Sequence, residues 1–195
     1  MTDAKLVSSA KPDIAGAISS APTGTSLPTN ATVKLNTAFK NLGYISEDGL
    51  TNEDTRETEE LKAWGGDVVD ISQTGKSDKF KYTLIEVLNV DVLKEVYGPD
   101  NVTGDLASGI KIEVNSKELP VHPLVVDMLL KNGAKKRIVI PNAKVLEVGE
   151  ITYADSELAG YETTIQALPD SNGNTHYEYI KGASEVTSVS GPSSS

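Results

Sequence analysis

The chain has 195 residues, a formal net charge of -10 and a pI of about 4.7. It contains no cysteine, which excludes disulfide frameworks, thiolate metal sites and cysteine nucleophiles. The acidic balance argues against a protein that grips nucleic acid by neutralising phosphates, but not against one past which a polyanion must slide under like-charge repulsion.

In chain order, residues 1–38 are rich in Ala, Ser, Thr and Pro, with no aromatic before Phe39. They carry too little apolar surface to offset their own ordering entropy, so they are predicted to be a flexible N-terminal arm, either frayed or ordered against a neighbouring subunit. The first residues lack the continuous apolar core of a signal peptide. No stretch approaches the ~18 apolar residues of a membrane span, so the expectation is a soluble product without a membrane anchor. Glycosylation at the Asn-x-Thr matches Asn30 and Asn101 would need a secreted chain.

An acidic run follows: Glu47, Asp48, Glu53, Asp54, Glu57, Glu59 and Glu60, with Arg56 as the one base within it. It reads as a solvated loop, or as a surface meeting a neighbouring subunit or a passing polyanion. It ends in "LKAWGGD" (Leu61 to Asp67), which holds the only tryptophan. Here a loop is predicted to run into a strand, with Trp64 as a packing anchor and Gly65-Gly66 permitting close backbone approach.

Beyond it the dominant period is two. In "KFKYTLIEVL", Phe80, Tyr82 and Leu84 alternate with polar residues, and the apolar phase then shifts to Ile85 and Val87, suggesting a bulge or a second buried face. "NVDVLKEVYGP" predicts a helix capped by Asn89, with Asp91 in its first turn, an apolar face of Val90, Leu93, Val96 and Tyr97, and a stop at Gly98-Pro99. "GIKIEVN" alternates cleanly. "PLVVDMLLKNG" suits helix or strand and is read as a strand, because Asn132-Gly133 before "AKKRIVI" looks like a hairpin return. "RIVIPNAKVLEV" is broken at Pro141-Asn142. "GYETTIQAL" and "HYEYIK" flank the turn residues of "PDSNGNT". The tail from 183 to 195 is as poor in packing residues as the N-terminal arm. The composite is a mostly antiparallel β domain over residues 39–182 with one flanking helix.

Catalytic chemistry finds no pattern. His122 and His176 read as surface or strand-edge histidines, with no nucleophile motif to partner them. "DSNGNTHYE" has Thr175 where a calcium loop needs glycine and Lys181 where it needs glutamate. No phosphate loop or dinucleotide fingerprint occurs, so no catalytic residue, cofactor or metal is expected. The basic stretch with Lys131, Lys135, Lys136 and Arg137 is either a solvated turn or an electrostatic partner of the acidic run between subunits. The candidate inter-subunit residues are therefore Glu57, Glu59, Glu60, Trp64, Lys135, Lys136 and Arg137.

Several segments, in order, resemble the major tail tube protein of bacteriophages with long non-contractile tails: "LGYISEDGL" (Leu42 to Leu50), "LKAWGGD", "FKYTLIE" (Phe80 to Glu86), "VLKEVYG" (Val92 to Gly98), "RIVIPNAKV" (Arg137 to Val145), "ITYADSELAGYETTIQALPD" (Ile151 to Asp170) and "YEYIKG" (Tyr177 to Gly182). The resemblance spans Phe39 to Gly182. It implies a β-sandwich flanked by a helix and six subunits per ring. Inner strands would join into a continuous β-barrel, and rings would stack around a tape measure protein between a tail-tip initiator and a tail terminator. Phage DNA would pass through the lumen without specific binding. The product would be made in the host bacterial cytoplasm and end in the virion tail. Two other classes compete: a monomeric immunoglobulin-like surface or decoration module, which also shows short alternating strands, and a hydrolase using the acidic cluster, which no motif supports.

Overall fold

The computed structural model describes residues 2–13 and 16–183. The alternating and β-branched runs form strands β1 (Ala10–Pro12), β2 (Ile18–Ser20), β3 (Lys40–Asn41), β4 (Ile45–Lys62), β5 (Val68–Leu84), β6 (Val102–Asp105), β7 (Gly109–Ile112), β8 (His122–Leu130), β9 (Lys135–Val148), β10 (Tyr161–Leu168) and β11 (Tyr177–Lys181), with helix α1 (Val90–Tyr97) between β5 and β6. Nine strands make one sheet along the path β3-β2-β8-β9-β10-β5-β4, with β1 also on β8 and β11 also on β9. The β6–β7 hairpin stands apart. Every pairing is antiparallel. The mostly β fold with its helix is the predicted one, and the sheet stays open within the chain.

The β8–β9 pair is the centre of the structure. Asn132, at φ 63°, turns the chain between them, and the Leu130 amide donates to the Ala134 carbonyl at 2.7 Å. Leu124 pairs with Ile140, Val125 with Val139 and Val126 with Ile138. Because side chains alternate, these consecutive apolar residues bury both faces of the pair. Leu124, Val126, Ile138 and Ile140 join Phe80, Tyr82 and Leu84 of β5, Ile165 of β10 and Val92, Leu93 and Val96 of α1 in the main core. Val125 and Val139 face the other way, into a smaller cluster with Ala21, Leu27, Leu35 and Phe39.

That second cluster changes the reading of the N-terminal arm. Ile18 is fully buried, β2 pairs with β8, and residues 21–39 cover the outer face of β8–β9. A division at residue 38 therefore does not match the packing. Few apolar residues suffice, because the surface they cover is already held rigid. The C-terminal tail lies outside the described residues from 184 onward.

Two other expectations shift. Strand β5 stops at Leu84, so the phase change at Ile85 and Val87 marks the connection to α1 and not a bulge. β10 and β11 do not pair with each other: β10 pairs with the second half of β9 and β11 with the first. The change of partner falls at Pro141-Asn142, where a missing N–H breaks the ladder. Helix α1 is capped as predicted, with the Asn89 side chain accepting from the Asp91 amide at 3.0 Å and Gly98 closing the C-terminus. Its buried face is rotated from the predicted one, since Val92 and Glu95 are buried whereas Val90 and Tyr97 are only half-buried.

Arg137, on β9, is buried. Its Nε donates to Asp127 Oδ1 at 2.6 Å and a terminal nitrogen to Oδ2 at 3.0 Å, while the other terminal nitrogen donates to the carbonyls of Asn30 at 3.1 Å and Val33 at 2.7 Å. It thereby ties the covering segment to the sheet. Arg137→Ala removes four charge-assisted bonds and strands the Asp127 carboxylate, so it should destabilise the chain by about 3 kcal/mol, read as a lowered urea midpoint. Lys in place of Arg should recover only part of this, because it lacks the planar fork.

Candidate assembly interface

The acidic run is not a loop. Residues 45–62 and 68–84 form one long antiparallel hairpin, with Glu57 opposite Gly75, Glu59 opposite Ser72 and Glu60 opposite Ile71. β10 supports β5 only from Lys79 to Leu84. Beyond that point the ribbon has two strands, and every residue from Thr51 to Thr74 is exposed. From the Asp54–Asp78 pair to the Lys62–Val68 pair, the unsupported ribbon spans roughly 27 Å at the rise of an extended chain. Period-two hydrophobicity could not reveal β4, because neither face of its outer half is buried. Cross-strand pairing holds it instead, including Lys76 to Asp54 at 3.3 Å and Arg56 to Gln73 at 3.2 Å.

"LKAWGGD" is the tip of this arm. The Ala63 amide donates to the Asp67 carbonyl at 2.8 Å and the Gly66 amide to the Ala63 carbonyl at 3.0 Å. Gly65 and Gly66, at φ 125° and 100°, supply backbone conformations that side chains disfavour. A Cβ at either would meet nothing within 4 Å, so turn geometry and not close approach explains the pair. Trp64 is fully exposed and anchors nothing in its own chain, which corrects the predicted role. Around it Leu61, Val68, Val69 and Ile71 are also exposed, and alternation places them on both faces of the ribbon. Residues 53–76 carry seven acidic and three basic side chains.

The root of the arm is pinned by Asp78, which is buried. Its carboxylate accepts from Thr175 at 2.5 Å and Asn52 at 2.8 Å and meets His176 Nδ1 at 2.6 Å. Burial opposes ionisation there, but these hydrogen bonds outweigh it and hold the carboxyl below its ordinary value. The His176 ring stands edge-on to Phe80 at 5.3 Å. A second acid–imidazole pair joins α1 to β8: His122 Nε2 lies 2.9 Å from Glu95 Oε1, and Nδ1 lies 3.3 Å from the Pro120 carbonyl. Both ring nitrogens face acceptors, an arrangement only the imidazolium satisfies by donating twice. Burial lowers the His122 pKa, but the Glu95 carboxylate more than compensates, so it stands above the ordinary value. Of the surface or strand-edge placement expected for both, the strand end holds, since His122 opens β8 and His176 immediately precedes β11, but each ring is mostly covered and meets a carboxylate. A lone Glu in an apolar helix face was the available signal for the second pair.

The basic candidates are engaged within the chain. Lys136 meets Glu178 at 2.8 Å and Lys135 meets Asp13 at 3.4 Å, both with partly exposed side chains, whereas Arg137 is buried and commits its donors internally. The structure brings Glu57, Glu59, Glu60 and Trp64 together on the arm. Lys135, Lys136 and Arg137 sit apart from them, at the start of β9.

A family model described as phage tail tube protein matches residues 13–190. The chain belongs to the phage tail tube protein family. It is thus a structural protein of phage tails. No curated protein sequence matches it. Among solved structures it is similar to the tube-terminating cap of an anti-feeding prophage, at 12% identity over 83% of this chain and 94% of the cap chain, with a TM-score of 0.41. Among the described residues of this tail tube protein, no helix is long and apolar enough to cross a membrane.

The two buried acid–imidazole pairs give the tail tube protein a stability window. The His122 pKa is raised on folding, so its contribution is complete below the ordinary histidine value of about 6.5 and is lost as pH rises through the folded value. The Asp78 pKa is depressed, so its contribution is present above the ordinary carboxylate value of about 3.9 and is lost as pH falls through the folded value. The thermal midpoint should therefore decline above neutrality, and His122→Gln should lower the midpoint at pH 6 while flattening that decline. A wild-type slope retained in His122→Gln would assign it to another group.

Proposed function

We propose that this tail tube protein polymerises into hexameric rings that stack around a tape measure protein, and that the emptied lumen conducts phage DNA without binding it. Family membership supports the tail role, and the observation that carries assembly is the arm. An isolated two-stranded ribbon is marginal in water, and its unpaired edges and exposed apolar residues invite association. Packing the arm between neighbouring copies covers both faces and the Trp64 tip. Glu57, Glu59 and Glu60 then lie at the contact, where Lys135 and Lys136 are available to exchange their internal partners for it. Arg137 contributes by fixing the strand that carries these lysines. Strand edges left open in one chain would be closed by neighbours into a continuous inner barrel.

The acidic balance suits a conduit, because each phosphate neutralised by Lys or Arg would add affinity and slow passage. A tail-tip initiator would start the first ring and a terminator would close the last. The protein would be made in the host bacterial cytoplasm and act in the virion tail. Its role is mechanical and uses no catalytic residue, cofactor or metal.

Thr55 and Ser77 face each other across the hairpin. Replacing residues 56–76 by an Asn-Gly turn between them removes the arm and keeps the supported sheet. The shortened chain should unfold at an almost unchanged temperature yet remain monomeric, whereas the full chain forms rings or hollow tubes in negative-stain electron microscopy. Tubes from the shortened chain would overturn the role of the arm. Monomers from the full chain, persisting with tail-tip components present, would favour the immunoglobulin-like binding module instead.

A further inference from the structure

We infer that a groove beside α1 is the receptor for Trp64 of a second copy of this chain. The inference rests on the assembly reading above and names the contact that assembly would use. The groove encloses about 480 Å³ and is walled by Pro22, Leu119, Pro120 and Val145, with Lys40 and Lys94 also lining it. Its volume lies in the range of sites that take one sizeable group, and its apolar walls suit an indole, whose burial removes roughly 150–250 Å² from water.

Charge complements shape. Lys40 and Lys94 have no ion-pair partner among the described residues. Glu95, which also lines the groove, is committed to His122 at 2.9 Å, leaving Asp91 as the other acid there. The two lysines therefore face an incoming tip whose flanks carry Glu57, Glu59, Asp67 and Asp70, none of them in an ion pair among the described residues.

Reach decides that the tip comes from another copy. Lys40 is five residues from Ile45, the first residue of β4, so the chain keeps that wall of the groove within about 18 Å of the inner end of the hairpin. Trp64 lies beyond the far end of that hairpin, roughly 45 Å from its Ile45–Leu84 pair at the rise of an extended chain. A straight arm cannot return to its own groove. Donor and receptor are also different surfaces, so the contact is head-to-tail, the type that closes into rings or continues as stacks.

The chain supplies its own probes, because Trp64 is its only tryptophan and it has no cysteine. On assembly, Trp64 emission should shift to the blue and its quenching by acrylamide should fall several-fold. Trp64→Cys and Ala38→Cys chains, Ala38 also lining the groove, should form a disulfide-linked heterodimer when mixed under oxidising conditions. Neither should crosslink alone. Lys40→Glu with Lys94→Glu should keep the fold, by circular dichroism, and lose the emission shift. Tubes whose Trp64 stays exposed would overturn this contact and leave the tube reading intact. A blue shift without the heterodimer would place the tip elsewhere on the neighbour and also overturn it. Failure of the wild-type chain to assemble, with initiator present, would overturn both.

Discussion

The β8–β9 pair has no solvent face. Leu124 to Val126 against Ile138 to Ile140 puts apolar side chains on both sides of one ladder, and an apolar surface on both sides requires cover on both sides. The rest of the sheet and α1 supply the first cover. Residues 21–39 supply the second, fastened by Arg137 through the carbonyls of Asn30 and Val33. Much else follows from this need: β2 joins the sheet to bring the covering segment into place, and β9 changes partners at Pro141 to carry the sheet onward to β10 and β5.

The arm obeys the opposite rule. It leaves the core at Lys79, has nothing over either face, and is held by cross-strand hydrogen bonds and a few ion pairs between exposed groups, which individually contribute little. The buried Asp78 cluster at its root keeps it aligned with the sheet. Glu86 does similar work nearby, accepting from the Tyr44 amide at 3.0 Å and from Asn89 at 2.9 Å. Gly43, at φ 73°, is needed there because a Cβ would lie 2.0 Å from the Glu86 side chain. A rigid root and an unburied blade are the two features that the proposed packing between copies would use.

Assembly and passage make different demands on charge. In the proposed conduit, acidic side chains would keep a polyanion moving, yet neighbouring copies of an acidic chain would repel one another. In the proposed assembly, an arm that delivers an aromatic tip would answer this with a short-range apolar contact, which salt does not screen. Local basic patches at the start of β9 and beside α1 would then provide orientation more than strength.

Elements with a buried face were legible in the sequence. The alternation of Phe80, Tyr82 and Leu84, the β-branched runs around Pro141, the Asn132 turn and the caps of α1 each record a local rule, and the order of the motifs recorded the family. The arm was not legible, because a strand exposed on both faces leaves no hydrophobic period and "TNEDTRETEELK" reads as solvated loop. Nor were the pairings of Glu95 with His122 and of Asp78 with His176, which join residues 27 and 98 positions apart. The sequence by itself determined that the alternating and β-branched runs must be buried and where α1 begins and ends, since those depend on neighbours along the chain. Only the tertiary structure decided that residues 21–39 cover the sheet, that Arg137 is consumed within the chain and that Trp64 stands free. Each of these depends on what a distant segment places across from it, and local periodicity carries no record of that.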